Sequence, residues 1–518
     1  MDRISQLPIH ILHRILSNLS QKQSIRTCIL SKSWRHVGST RPKIEFLEEF
    51  FNGDKQSFLS VIDSTLQRYL DQNLSVHQFI ICMWALDPQS ISLLEKWIPI
   101  LVRIMRVKTF HLCFNSERSD YFDLPSIVFQ SQTLENLHLE RCLLREKSID
   151  SVRLNNLQTV RLDRVRIKEE TFEKILSSCP LIEKVSLFGC NGLKTICVFK
   201  PRNLKHFAFG DYYELNKEQD PSLSIKIDSP SVRTIQIAGC SNWNQQFNYF
   251  PNLESLFLNR VKLSSDSFEF FSSKYLPCLE CFTIDSCYGF EICYLNLSGS
   301  VKYLTIRNLE KKPIDAVIEA PNIVEFVYEG EIPELSLSFK ADSPDWKSNI
   351  ILCSYSDFDN NASSWFNKLI CLLRSLSESK ITLKLVHHRR TNRPIIQAVP
   401  SSLLLSDVDY RCFYQPVEVV HLSLSGYFSS SSFPAFLNCL FCVCHPKYVS
   451  QHSYSYATTD WEREDKELNE SLLQILVMET EMRRYFWPRD LEDICWVEAL
   501  DKIGQKQNVV WIQLKWRE

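Results

Sequence analysis

Residues 134–139 read LENLHL and residues 157–162 read LQTVRL. Both follow one pattern, apolar-x-x-apolar-x-apolar, and the pattern recurs along the middle of the chain. VKTFHL begins at Val107, IEKVSL at Ile182, LKHFAF at Leu204, VRTIQI at Val232, LESLFL at Leu253, LECFTI at Leu279, VKYLTI at Val301 and IVEFVY at Ile323. Successive copies start 21 to 28 residues apart. Alternation within each hexamer predicts a short strand with one apolar face. A lone strand cannot hide that face. Stacking the copies side by side hides it against a continuous core, so the sequence predicts an α/β repeat array built on a parallel sheet.

The spacing lies within or close to the range of roughly 20–29 residues that defines leucine-rich repeats. Between strands, KEETFEKILSSCP places Phe172, Ile175 and Leu176 at helical spacing, with Pro180 ending the segment. SLLEKWIPILVRIM predicts a helix that Pro99 should kink or divide. VHQFII at Val76 is a weaker copy that suits an N-terminal cap. Past residue 331 the phase fades, although SSWFNKLICLLRSL keeps a helical apolar stripe, ITLKLV alternates, and VEVVHLSL restores the hexamer at Val417. The expected division is 1–46 for a helical module, 47–105 for a linker and cap repeat, 106–331 for regular repeats, 332–450 for diverged repeats and 451–518 for a capping region whose aromatic residues should pack.

Composition bounds the partners. The 518 residues carry a formal charge of −2, which provides no field to attract nucleic acid or an anionic membrane. No run approaches the ~18 apolar residues that a spanning helix needs. MDRISQLPIH lacks the basic and continuous apolar regions of a secretory signal, so the expected location is intracellular, in nucleus or cytoplasm. The 19 cysteines are then expected as reduced, small apolar side chains, as at Cys179, Cys190 and Cys240.

The N-terminal stretch LPIHILHRILSNL sets Pro8 at a helix start, pairs Ile11 with Ile15, and continues the apolar face through Leu12, Leu16 and Leu19. A second helix and a third around Trp34 in SKSWRHV complete about 40 residues, too few to be secure alone. Such a module is either a cap on the array or a docking unit. DRISQLPIHILHRILSNLSQKQSIRTCILSKSWRHV resembles an F-box, through Leu7-Pro8, Ile11-Leu12, Ile15-Leu16 and Leu30-Ser31-Lys32-Ser33-Trp34. It departs from the commonest form at Ile9 and Ser33. LQTVRLDRVRI and TFEKILSSCPLIEKVSLFGC are similar to the repeats of plant F-box/leucine-rich-repeat proteins.

The resemblance implies a three-helix F-box followed by an irregular leucine-rich-repeat solenoid. It implies a non-catalytic substrate receptor of a Skp/cullin/F-box ubiquitin ligase, linked through a Skp-type adaptor to cullin and RING subunits. The adaptor contacts it implies are Leu7, Pro8, Ile11, Leu12, Ile15 and Leu16, with Trp34 closing the patch. The alternative is a repeat scaffold that engages no ligase.

Alternation also aims one side of each strand away from the core, and there His138, Arg161, Phe188, His206, Phe257, Tyr303 and Arg307 are the candidate contacts for a protein substrate on the concave face. CLFCVCH offers Cys439, Cys442, Cys444 and His445, but the spacing is too cramped for a zinc site and no second pair follows. No cofactor or metal is expected. Neither a phosphate-binding glycine loop nor a nucleophile or zinc-protease motif is present in the sequence, which argues against intrinsic catalysis.

Overall fold

The hexamers form the strands, each beginning two residues after its first apolar position. A computed structural model of the chain describes residues 7–19, 21–27, 29–115, 121–145, 152–199, 201–210, 224–239, 249–263, 267–289, 292–307, 315–332, 337–343, 345–353, 362–386, 415–425, 433–452, 491–497 and 510–516. Two compact units are distinguished, residues 1–253 and 254–518.

The first unit opens with three helices, α1 (Ile9–Ser17), α2 (Gln21–Thr27) and α3 (Lys32–Ser39). Pro8 precedes α1, where its missing N–H is no loss, and the Ser31 hydroxyl accepts the Trp34 amide at 3.2 Å to cap α3. The chain then enters β1 (Lys43–Leu47), α4 (Lys55–Asp71), β2 (Gln78–Met83), α5 (Pro88–Arg103) and β3 (Thr109–Phe114). Asp54 and Asp87 cap the two long helices by accepting the amides of Ser57 and Ser90. Pro99 does not divide α5, which runs through it as one helix. Its buried side, Leu94, Trp97, Ile98, Leu101 and Val102, holds it on the core at the cost of one missing backbone bond.

The regular strands follow as β4 (Asn136–Glu140), β5 (Thr159–Asp163), β6 (Lys184–Phe188), β7 (His206–Gly210) and β8 (Thr234–Ala238), with helix α6 (Glu169–Ser177) between β5 and β6. From β1 to β8 every pairing is parallel and in sequence order. On the outer side, short strand pairs such as Thr195–Val198 with Ser224–Ile227 replace helices in several repeats.

Two devices make the repeat turn. A residue in the left-handed region follows β4, β5, β6 and β8, at Arg141, Arg164, Gly189 and Gly239, with φ between 51 and 72°. After Arg141 and Arg164 the next side chain, Cys142 or Val165, is fully buried, and after Gly189 the half-buried Cys190 places its Sγ 3.4 Å from the Leu162 carbonyl. Cys179 is also buried, whereas Cys240 lies outside the described residues. The second device is a ladder of asparagines. Asn156 donates to the carbonyl of Gln132, Asn203 to Pro180 and Asn252 to Pro230, at 2.6 to 2.9 Å, so each repeat is tied to the one before it.

In the second unit, parallel strands β9 (Ser255–Asn259), β10 (Cys281–Asp285), β11 (Tyr303–Arg307), β12 (Glu325–Gly330), β13 (Lys347–Cys353), β14 (Lys380–Val386), β15 (Val417–Ser425) and β16 (Cys444–His452) continue the same logic. Helices α7 (Ala362–Ser375) and α8 (Phe433–Val443) pack through Phe366 and Phe436. The order ends with β17 (Leu491–Val497) and β18 (Val510–Trp516), and β18 runs antiparallel to both β16 and β17. The CLFCVCH segment is the passage from α8 to β16. Cys444 is buried there, and the His445 ring stacks on Trp516 at 3.9 Å. No helix among the described residues is long and apolar enough to cross a membrane.

Candidate functional site

Two surfaces of the first unit carry the features expected of contact sites. The first is the N-terminal bundle. Leu12, Leu16, Trp34 and Val37 form its core, each no more than 5% exposed, with Ile15 and Leu19 packed against them. Of the residues expected to touch an adaptor, Leu12, Leu16 and Trp34 are therefore enclosed by the chain itself. Ile11 and Ile15 are half-buried, and Leu7 and Pro8 are exposed. The uncovered apolar surface of the module includes Leu7, Ile9, Ile29 and Leu30, the last two 84% and 67% exposed in the turn between α2 and α3. Four large apolar side chains of this small module are thus left uncovered by the described residues. The bundle is fixed to the array by Tyr69, whose hydroxyl donates to the Arg41 carbonyl at 2.9 Å, and by Arg68, whose guanidinium donates to the Ser39 carbonyl.

The second surface is the open face of β2–β6. In-register parallel pairing lines the third and fifth positions of consecutive hexamers, and the seventh position one past each hexamer's end, into rows. The fifth-position row reads Ile80, His111, His138, Arg161, Ser186, and the seventh reads Cys82, Cys113, Glu140, Asp163, Phe188. The rings of His111 and His138 stack at 3.8 Å. His138 Nε2 and Arg161 Nε both meet Asp163 Oδ2, at 2.6 and 2.8 Å. Arg161 also lies over the ring of Phe188, 5.1 Å from its centroid. Glu140 is bonded to Arg164, and its other oxygen lies 2.7 Å from Cys113 Sγ.

Burial sets the ionisation of this face. It pushes His111 down to about 4, with the neighbouring His138 adding to the shift, so the ring is neutral near pH 7. Burial pushes the Asp163 carboxyl up, but the hydrogen bonds from His138 and Arg161 outweigh it and hold the group below its ordinary value. Cys113 shares a hydrogen bond with Cys82, which holds the Cys113 thiol up and draws the Cys82 thiol down.

Of the residues expected on the substrate face, His138, Arg161 and Phe188 are thus brought into one patch. His206 lies on the third-position row of the same sheet, exposed, in register with Lys184 and within 2.7 Å of Thr234 Oγ1. Phe257, Tyr303 and Arg307 belong to the second unit. There Tyr303 is 44% exposed and Arg307 pairs with Glu329 at 3.2 Å. Sequence reasoning missed Cys82, His111 and Cys113, although the signal was available: extending VHQFII and VKTFHL by one residue reaches both cysteines, and His111 already lies in the second hexamer.

A helical module with uncovered apolar side chains, followed by a strand-repeat array with a chemically mixed open face, defines a two-part protein-interaction molecule. Residues 4–44 match the family model described as F-box domain, and residues 94–225 match that described as FBD-associated F-box protein At5g56370, LRR repeats. Among curated proteins, the chain is 26% identical to F-box protein At5g03100 of Arabidopsis thaliana over 44% of this chain and 74% of that protein. It is 31% identical to the F-box/FBD/LRR-repeat protein At5g22660 of Arabidopsis thaliana, over 36% of this chain and 40% of the relative. With F-box/LRR-repeat protein 25 of the same plant the identity is 28%, over 46% and 85%. The match to At5g22660 thus spans less than half of either chain. The chain carries an F-box domain and FBD-associated leucine-rich repeats, and its relatives are Arabidopsis F-box/LRR-repeat proteins. F-box domains as a class bind Skp1-type adaptors.

Proposed function

We propose that the chain is the substrate-recognition subunit of a Skp/cullin/F-box ubiquitin ligase, its F-box binding a Skp-type adaptor and its repeat face holding a target protein. The observation that carries this reading is the pairing of an F-box match over residues 4–44 with a bundle that buries Leu12, Leu16, Trp34 and Val37 yet leaves Leu7, Ile9, Ile29 and Leu30 uncovered. These side chains would anchor the adaptor, and Leu12, Leu16 and Trp34 would hold the helices that present them. On the open face, Arg161 and Phe188 combine a cation with an aromatic ring, the residue types that dominate protein recognition.

The chain's contribution to ubiquitin transfer would be proximity. Holding a target lysine near the enzyme carrying ubiquitin converts a bimolecular encounter into an effectively intramolecular one. Co-expression of the full chain with a Skp-type adaptor, a cullin and a RING subunit tests the reading. A single assembly containing all four on size-exclusion chromatography is the expected result. Elution of the folded chain apart from the adaptor would refute it.

A further inference from the structure

Three metal-ligating side chains converge on the open face of the first unit. Cys82 on β2 stands directly across from Cys113 on β3, and His111 precedes Cys113 by two residues on the same side of the strand. One donor atom from each, the two Sγ atoms and an imidazole nitrogen, lies within 4.8 Å of the other two. Zinc bonds sulfur at about 2.3 Å and imidazole nitrogen at about 2.0 Å, so the ligands of one ion sit roughly 3.5–4 Å apart. The donor atoms thus lie within about 1 Å of that spacing.

The surroundings favour a metal over a merely packed cluster. His111 Nε2 is buried and has no hydrogen-bond partner among the described residues, as is true of Asp163 Oδ1 nearby, whereas His138 Nε2, Asp163 Oδ2 and Glu140 are bonded. The His111 ring is held by its stack on His138, which is in turn held by Asp163. Glu140 accepts from the Cys113 thiol and is paired with Arg164, so binding of a metal by the Cys113 thiolate would give up the first of these hydrogen bonds and keep the second.

We propose that Cys82, His111 and Cys113 bind a zinc ion on the open face of the sheet. Two thiolates and a neutral imidazole fit a borderline-soft cation, and they leave the fourth tetrahedral position for water or for a side chain of a bound protein. Two thiol protons pass to solvent for each ion bound, and the two thiolates balance the charge of the dication. The site does not depend on the ligase reading: a scaffold with the same face would bind the ion equally.

The test uses the full chain, purified without chelator. About one equivalent of zinc per chain is expected. Co²⁺ added to the chelated protein should give thiolate-to-metal charge-transfer absorption. His111→Asn or Cys113→Ser should weaken cobalt affinity by more than ~100-fold. Because Cys113→Ser risks the fold, the wild-type chain provides an independent reading. Alkylation followed by peptide mass spectrometry should show Cys82 and Cys113 protected with zinc and modified after chelation. Absence of charge-transfer absorption, equal alkylation with and without zinc, unchanged affinity in a folded His111→Asn chain, or recovery of Cys82 and Cys113 as a disulfide would each overturn the proposal.

Discussion

Truncating Leu16 to alanine separates the structural from the docking part of the F-box. Leu16 is fully buried against Leu12, Trp34 and Val37, so Leu16→Ala should cost about 2–5 kcal/mol. A core this small rarely supplies more than about 3–5 kcal/mol, and the ties through Tyr69 and Arg68 add only a little. The truncation therefore consumes most of the local stability. Opening of residues 9–39 should become at least ~30-fold more frequent, the equivalent of about 2 kcal/mol.

Amide hydrogen exchange followed by mass spectrometry reads this directly. Peptides from α1 and α3 should lose protection while those from β3 and β4 keep it. Leu30→Asp, at a position 67% exposed, should leave exchange in the same peptides unchanged. Wild-type protection of α1 and α3 in the Leu16→Ala chain would refute the assignment of Leu16 to the core. Loss of protection in Leu30→Asp would refute the assignment of Leu30 to the surface.

Other consequences are open to measurement. Asp163→Asn, which weakens the acceptor shared by His138 and Arg161, should destabilise the first unit by about 1–3 kcal/mol; an unchanged urea midpoint would contradict it. Asn203→Ala removes one rung of the asparagine ladder and should cost about 0.5–1.5 kcal/mol, read as faster exchange in β7. Arg260→Gly should act in the opposite direction. Arg260 has φ 50° at the corner where Gly189 and Gly239 stand in other repeats, so relief of the left-handed strain should stabilise the chain by roughly 0.5–1 kcal/mol, and a lowered melting temperature would contradict this.

The strand array was legible because a hexamer with a two-residue period leaves little choice: its apolar side must be buried, and only stacked copies can bury it. All ten regular hexamers became strands, and the helices around Phe172 and Leu369 fell where helical spacing placed them. Pro99 misled because the packed side of α5 outweighs one lost backbone bond. The connections were less legible. Several are short outer strands, whose two to five residues are too few to show a period.

At the N-terminus, pattern marked the apolar residues but not which of them point inward. Leu12 and Leu16 face the same interior as Trp34 because four residues make one helical turn, whereas Ile29 and Leu30 lie in a turn that periodicity does not cover. On the open face, the Cys82, His111 and Cys113 grouping depends on the register of β2 with β3. Adjacent strands so paired bring together residues some thirty positions apart, a juxtaposition that shows only when consecutive hexamers are aligned and extended, not in the spacing within either one.

The most direct test of the account is calorimetric titration of a Skp-type adaptor into the full chain and into the same chain carrying Ile29→Asp and Leu30→Asp. One-to-one binding by the wild type, weakened at least ~30-fold in a variant with unchanged hydrogen exchange, is the predicted result, since anchors of this kind contribute about 2 kcal/mol or more. Absence of binding by the folded wild-type chain, or equal affinity of the two chains, would contradict the claim that this bundle is a ligase docking module.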